Sequence, residues 1–331
     1  MSQSRIDVHS HFLPDFYREA LHAAGLSRPD GIAALPEWSE DDMLRTMDLL
    51  GIERAYLSIS TPGVHFGDDA AARKLARRVN EEAARLVRAH PGRLGFFAST
   101  PLPDVAGALD EIAYAYDVLG ADGVVFETNF HGMYLGDAAL APVYQELDRR
   151  GAVLFLHPTA PGCSCGCGQY PGKHFDYPAP MIEFIFDTTR AVTNMVLSGT
   201  LERCPNLKVI VPHAGAALPI LAARIDLIGP MLTAPGVPNP PLMRDALRRF
   251  HFDLAGVPVP QMLDALLSVA DPKHLHFGSD WPFTPTKICI GLAEALDGAA
   301  QLNGPLRADV YRNNALRLFA PAQRREEVAS R

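Results

Sequence analysis

His9 and His11 stand two residues apart at the close of an apolar opening run, Arg5-Ile6-Asp7-Val8-His9-Ser10-His11. Alternate side chains of a β-strand share one face, so both imidazoles point the same way and can grip one metal ion. A purely structural role would leave two imidazoles on a barrel-facing side without a shared partner, which is costly. Companions are sought at the ends of other β-type runs. His157 closes Val153-Leu154-Phe155-Leu156, His213 follows Val209-Ile210-Val211-Pro212, and Asp280 follows Leu275-His276-Phe277-Gly278-Ser279. Each caps such a run and leads into a loop with Gly or Pro. In a parallel barrel, chemistry gathers at the C-terminal strand ends.

Short apolar runs alternate with longer helical patterns along the chain. Strands are expected at Arg5 to His9, Arg54 to Ile59, Leu94 to Ala98, Gly123 to Phe126, Val153 to His157, Lys208 to Pro212, Phe250 to Leu254 and Leu275 to Gly278. Eight β/α units close a TIM barrel. Ser39 followed by Asp42 resembles a capping box before Met43 to Leu50, and Gly51 is the expected helix stop. Further helices are predicted over Asp69 to Ala89, Val105 to Leu119, Ala138 to Arg150 and Met181 to Leu201. The Pro-rich stretch Thr233 to Pro241 reads as a loop, because the alternation resumes after it. The expectation is a distorted (β/α)8 barrel with a helical C-terminal extension, residues 1–331 forming a single metal-dependent domain.

Composition narrows the class. A chain of 331 residues with a 48% hydrophobic share can bury a substantial core. A net charge of -8 gives no electrostatic footprint for nucleic acid or an anionic membrane, yet it does not oppose a small anionic substrate, since one metal ion dominates its local field. The opening strand does not resemble a signal peptide and no apolar stretch reaches spanning length, so the expectation is a cytoplasmic enzyme. The 5 cysteines are an odd number in a large chain, which argues against a disulfide framework. Cys163, Cys165 and Cys167 lack the spacing of a structural zinc site and read as part of a flexible loop over the pocket.

Taken in order, His9-Ser10-His11-Phe12-Leu13-Pro14, His157-Pro158, Leu197-Ser198-Gly199, Glu202-Arg203-Cys204-Pro205, Pro212-His213-Ala214-Gly215, Gly278-Ser279-Asp280-Trp281-Pro282-Phe283 and the closing Asn313 to Phe319 resemble the amidohydrolase-2 branch of the amidohydrolase superfamily. The branch includes aminocarboxymuconate semialdehyde, γ-resorcylate and 6-methylsalicylate decarboxylases. The resemblance runs nearly end to end. It implies that His9, His11, His157 and Asp280 ligate one divalent metal, with His213 beside it as an acid/base or water-orienting group. Imidazole and carboxylate suit Zn2+, with Mn2+ as the second choice. Binuclear relatives carry a carboxylated lysine at the end of the fourth strand; this chain has no lysine between Lys74 and Lys173. A mononuclear site follows, with Glu127 the only candidate to hold a second ion.

The resemblance implies non-oxidative decarboxylation of a hydroxylated aromatic, salicylate-type acid. Asp187 to Asn194 and Phe126 to Gly136 look closest to the 6-methylsalicylate decarboxylases. The expected proton sources are Asp280, His213 or a water on the metal. Phe12, Trp281 and Phe283 are candidate ring-packing neighbours; His131, Arg190 and His174 are candidate substrate contacts, and Arg244 and Arg248 weaker ones. His251 and His276 read as core residues, and His22, His65, His90 and His274 as surface residues. The alternative activity is a metal-dependent hydrolase or hydratase acting on a lactone, amide or unsaturated diacid. A homodimer or homotetramer is expected, with Leu227 to Leu242 as contact surface.

Overall fold

The computed structural model of the chain describes residues 4–161 and 177–320. Cys163, Cys165, Cys167 and His174 lie outside the described residues. Eight parallel strands follow one another in chain order: β1 (Arg5–His11), β2 (Ile52–Ser58), β3 (Leu94–Ala98), β4 (Gly123–Glu127), β5 (Val153–His157), β6 (Lys208–Val211), β7 (His251–Asp253) and β8 (Leu275–His276). β8 returns to β1 through the parallel bridges Asp7 to Phe277 and Ser10 to Trp281, with the Val8 N–H donating to Phe277 O at 3.0 Å. The sheet thereby closes into the expected (β/α)8 barrel.

The closing strands are shorter than their apolar runs. β8 leaves the ladder at Phe277, whose N–H donates to Val310 O at 3.0 Å instead of to a neighbouring strand. The helical C-terminal extension is thus stitched into the barrel. Its segment Asn314–Leu318 places Ala315 and Leu318 among Ile6, Val8, Phe97, Phe155 and Ile210 in the barrel interior, and Phe319 stacks on Tyr56 at 3.9 Å. A second, larger apolar layer joins the strands to the surrounding helices.

The local helix signals act as expected. Ser39 Oγ accepts from the Asp42 N–H at 3.1 Å, and Gly51, at φ 64°, ends the helix Glu40–Leu50. Asp69–Ala89 is helical over its predicted length. Three predicted helices are divided, Ala138 to Arg150 among them, as a 3-10 turn Ala138–Leu140 runs into the helix Ala141–Arg149. Met181 to Leu201 becomes Glu183–Leu197 and Thr200–Arg203, because Gly199 adopts φ 72°, a left-handed turn that ends a helix. Val105 to Leu119 is α-helical to Tyr114 and wider thereafter. Among the described residues no helix is long and apolar enough to cross a membrane.

Candidate active site and metal centre

The opening strand needs an irregularity to work. Asp7 pairs with Ala55 and Ser10 with Leu57, so three steps along β1 pass two along β2. Such a bulge re-aims the side chains that follow it. Ile6 and Val8 fill the barrel interior, and after the bulge His9 and His11 point inward as well, His9 lying 4.9 Å from the Phe155 ring. Asp7 holds the bulge from the other face. Its Oδ1 accepts from the N–H groups of His9 at 3.0 Å and Ser279 at 3.1 Å, and its Oδ2 from Ser279 Oγ at 2.5 Å. Burial pushes this carboxyl up to about 7 against those hydrogen bonds.

The strand ends converge. One ligand atom from each of His9, His11, His157 and Asp280 lies within 4.8 Å of all the others. His9 Nε2 is 3.1 Å from His11 Nε2, and Asp280 Oδ1 is 3.3 and 3.2 Å from the two. The opposite nitrogens are engaged elsewhere: His9 Nδ1 with Asp253 Oδ2 at 2.9 Å, His11 Nδ1 with Ser58 Oγ at 2.9 Å, His157 Nδ1 with Pro158 O at 2.7 Å. Such outer partners fix which ring nitrogen faces a metal. The set fits one divalent ion: three imidazole nitrogens and a carboxylate oxygen aimed at one buried point, with only Asp280 appreciably open, at 18% side-chain exposure. Glu127 is not in this group, so the described residues assemble ligands for one ion.

The electrostatics are those of a site built for a cation. Burial, then the neighbouring histidines, hold His157 well below its ordinary value. Burial lowers His11 too. Asp280 is buried, which raises it, but hydrogen bonds and charge from His11 and His9 hold it well below the usual carboxylate range. His9 is pushed up to about 10, because the Asp253 carboxylate outweighs burial.

His213 stands beside the cluster. Its ring is 5.1 Å from that of His9, its backbone N–H donates to Asp253 Oδ1 at 3.0 Å, and its enclosed ring Nδ1 has no hydrogen-bond partner. His213, Ala214, Ala216 and Asp280 all have positive φ, between 53 and 58°. Non-glycine residues held there cost about 1 to 3 kcal/mol each, and such strain concentrates at functional sites.

A cavity of about 600 Å³ is walled by Val64, Phe66, Leu102, Glu127, Phe130 and His131 among others; none of the four candidate ligands lines it, and Glu127, whose Oε2 is 3.7 Å from His157 Nδ1, links the two. Of the anticipated substrate contacts, His131 lines it. Phe283 packs edge-on against His11 at 5.5 Å. Phe12 and Trp281 are buried in the outer apolar layer, where the Trp281 indole N–H donates to Thr286 Oγ1 at 3.0 Å. Arg190 is not among the cavity residues; its guanidinium is given to Asp187 at 3.2 Å and Tyr134 at 3.3 Å. Arg244 pairs with Asp226 at 2.9 Å. His251 and His276 are buried and joined at 2.9 Å.

Two expectations change. His65 is no surface residue: it lines the cavity and bridges His131 to Asp69, both at 2.9 Å. Asp253, which holds both His9 and the His213 backbone, was counted only as part of a strand. Its position at the end of the His251-Phe252-Asp253 run was the available signal, an acid where an apolar strand opens onto the mouth.

The sequence model of the amidohydrolase family matches residues 6–320. The chain is 37% identical over 330 residues to the 6-methylsalicylic acid decarboxylase acuB of Aspergillus aculeatus, covering 97% of this chain and 98% of that protein. A crystal structure of an amidohydrolase II superposes with a TM-score of 0.88 at 36% identity, covering 96% of this chain and all of the other. The dihydroxybenzoic acid decarboxylase of Polaromonas sp. JS666, solved with manganese and the inhibitor 2-nitroresorcinol, shares the fold at a TM-score of 0.76 and 22% identity, covering 96% of this chain and 97% of that one. The chain belongs to the amidohydrolase family.

Proposed function

We propose that the chain is a metal-dependent, non-oxidative decarboxylase of salicylate-type acids. It is a carbon–carbon lyase that releases CO2 from an aromatic carboxylate. One observation carries this: a chain 37% identical, end to end, to a 6-methylsalicylic acid decarboxylase brings three histidines and an aspartate to one buried point at its strand ends.

His9, His11, His157 and Asp280 would hold the ion, Zn2+ or Mn2+; the manganese in the Polaromonas relative supports the second choice. When bound, the ion supplies a Lewis-acid anchor for the carboxylate and the neighbouring ring oxygen. The chain's own residues manage the proton. The ring carbon bearing the carboxylate takes up a proton, the bond to the carboxylate breaks, and its electron pair restores the aromatic ring as CO2 leaves. Asp280 would be committed to the ion as a ligand, which opposes its protonation. His213, beside the cluster with an unpartnered Nδ1 and held below its ordinary value by burial, is assigned that transfer. Phe283 and His131 flank the ring; Phe12 and Trp281 brace the loops behind them. Residues 1–331 act as one barrel unit. Ile220, Leu227 and Met231, all exposed on one helix, support a homodimer through that face.

The test is product mass after incubation of metal-loaded enzyme with 6-methylsalicylate and related ortho-hydroxybenzoates, with His213→Ala as control. Loss of CO2 that requires metal and drops about 100-fold or more in the variant supports the assignment. Addition of water to a lactone or unsaturated diacid, without CO2 loss from any benzoate, overturns it.

A further inference from the structure

Three histidines outside the ligand cluster meet where β7 and β8 pair. His251 opens β7, His276 closes β8, and His274 ends the 3-10 turn Pro272–His274 that leads into β8. His251 Nδ1 lies 2.9 Å from His276 Nε2, and the His274 ring packs over that of His251 at 4.2 Å. His276 is wholly buried and His251 is 9% exposed. His274 is half-buried, and its Nδ1 donates to Arg248 O at 3.1 Å.

A hydrogen bond between two ring nitrogens holds one proton, which one nitrogen donates and the other accepts. If both rings are charged, N–H faces N–H and the bond is lost. A charge on His276 alone also fails. Its Nδ1 is enclosed without a partner, so a proton there becomes a buried donor with no acceptor, which is costly. The neighbouring cations add to the conflict. His276, His274 and Lys208 of β6 oppose a charge on His251, and His274 and Arg317 of the C-terminal extension oppose one on His276. Burial, then these groups, holds His251 well below its ordinary 6.5 and His276 down to about 3. The carboxylate that favours a charge on His276 is Asp253, its register partner across β7 and β8. Asp253 is also the residue that holds His9 Nδ1 at 2.9 Å.

We propose that His251, His274 and His276 form an acid-sensitive latch on the metal site. Uncharged, they tie β7 to β8; protonated, they part the two strands, Asp253 loses its place beside His9, and the ion is released. The latch acts on the acid side of neutrality. Above pH 6.5 both the folded and the unfolded chain keep these rings neutral, so stability is unaffected. Below it the unfolded chain takes up protons that the fold refuses, and each such histidine raises the unfolding constant about tenfold per pH unit.

The test follows the full, metal-loaded chain from about pH 7 to about pH 4.5, reading urea unfolding and, separately, capture of the released ion by a coloured chelator. The proteins are wild type, His251→Asn, His276→Gln and His274→Ala; the two amides sit near the nitrogens they replace and do not titrate. In His251→Asn and His276→Gln the unfolding constant should rise less steeply than in wild type, by about tenfold per pH unit, and the ion should stay bound to lower pH. His274→Ala leaves the hydrogen-bonded pair intact, so it reports even where the other two do not fold, and it should shift release in the same direction. Wild-type pH dependence in the folded variants overturns the latch. Ion release at one common pH from all four proteins, while their unfolding curves differ, overturns its coupling to the metal.

Discussion

Replacing Asp253 by Asn tests whether a residue that touches no metal controls metal binding. Its Oδ1 accepts from the N–H groups of His213 and Ala255, both at 3.0 Å, while Oδ2 faces His9 Nδ1 at 2.9 Å. An asparagine must keep its one oxygen toward the two backbone donors, which turns its NH2 toward His9. Donor would then meet donor unless His9 adopts the other tautomer, with the proton on Nε2, the nitrogen that must face the metal. Disturbing such outer partners costs about 10- to 100-fold in metal affinity, equivalent to about 1.4 to 2.8 kcal/mol. The assay is chelator competition on purified protein, read as the metal dissociation constant, with Tm recorded to confirm folding. A folded Asp253→Asn protein that binds metal within two-fold of wild type would refute the tautomer argument.

Gly278→Ala should lower both Tm and metal content, because the added Cβ would stand 2.9 Å from His9 Cβ and 3.2 Å from Asp253 Cβ; overpacking of this kind costs about 1 to 3 kcal/mol, readable by urea unfolding. The metal-free protein should lose Tm as pH rises. His9 is held up to about 10 against an ordinary 6.5, so its charged pairing with Asp253 stabilises fully below pH 6.5 and is lost on the way through 10. Metal affinity should strengthen over the same range, since the ion requires neutral His9, and titration calorimetry at stepped pH checks both signs. Phe319→Ala should cost about 2 kcal/mol in urea unfolding by removing the ring stacked 3.9 Å from Tyr56, with metal affinity unchanged.

The barrel was legible because its strands are contiguous apolar runs punctuated by Gly and Pro, and Leu94–Ala98 and Val153–His157 stand where those runs place them. The ligands were legible because His9-Ser10-His11 has the period of a strand and because His157 and Asp280 end two others. The parts that position them were not. Asp253 reaches His9 across 244 residues, and Ser279 reaches Asp7 across 272; neither contact leaves a trace in local spacing. His65 looked like a loop residue because its partner, His131, follows a different strand.

The bulge in β1 is the most instructive of these. Strict alternation from Ile6 would put Ile6, Val8 and Ser10 on one face and His9 and His11 on the other, so an apolar barrel interior and an inward histidine pair are incompatible on one regular strand. The extra residue between Asp7 and Ser10 resolves the conflict, and the buried Asp7 carboxyl, bonded to His9 N–H and Ser279, fixes where it falls. A period-two pattern predicts that the two histidines face together. It cannot predict that they face the same side as Val8, because that depends on an acid whose partner closes the barrel from the far end of the chain.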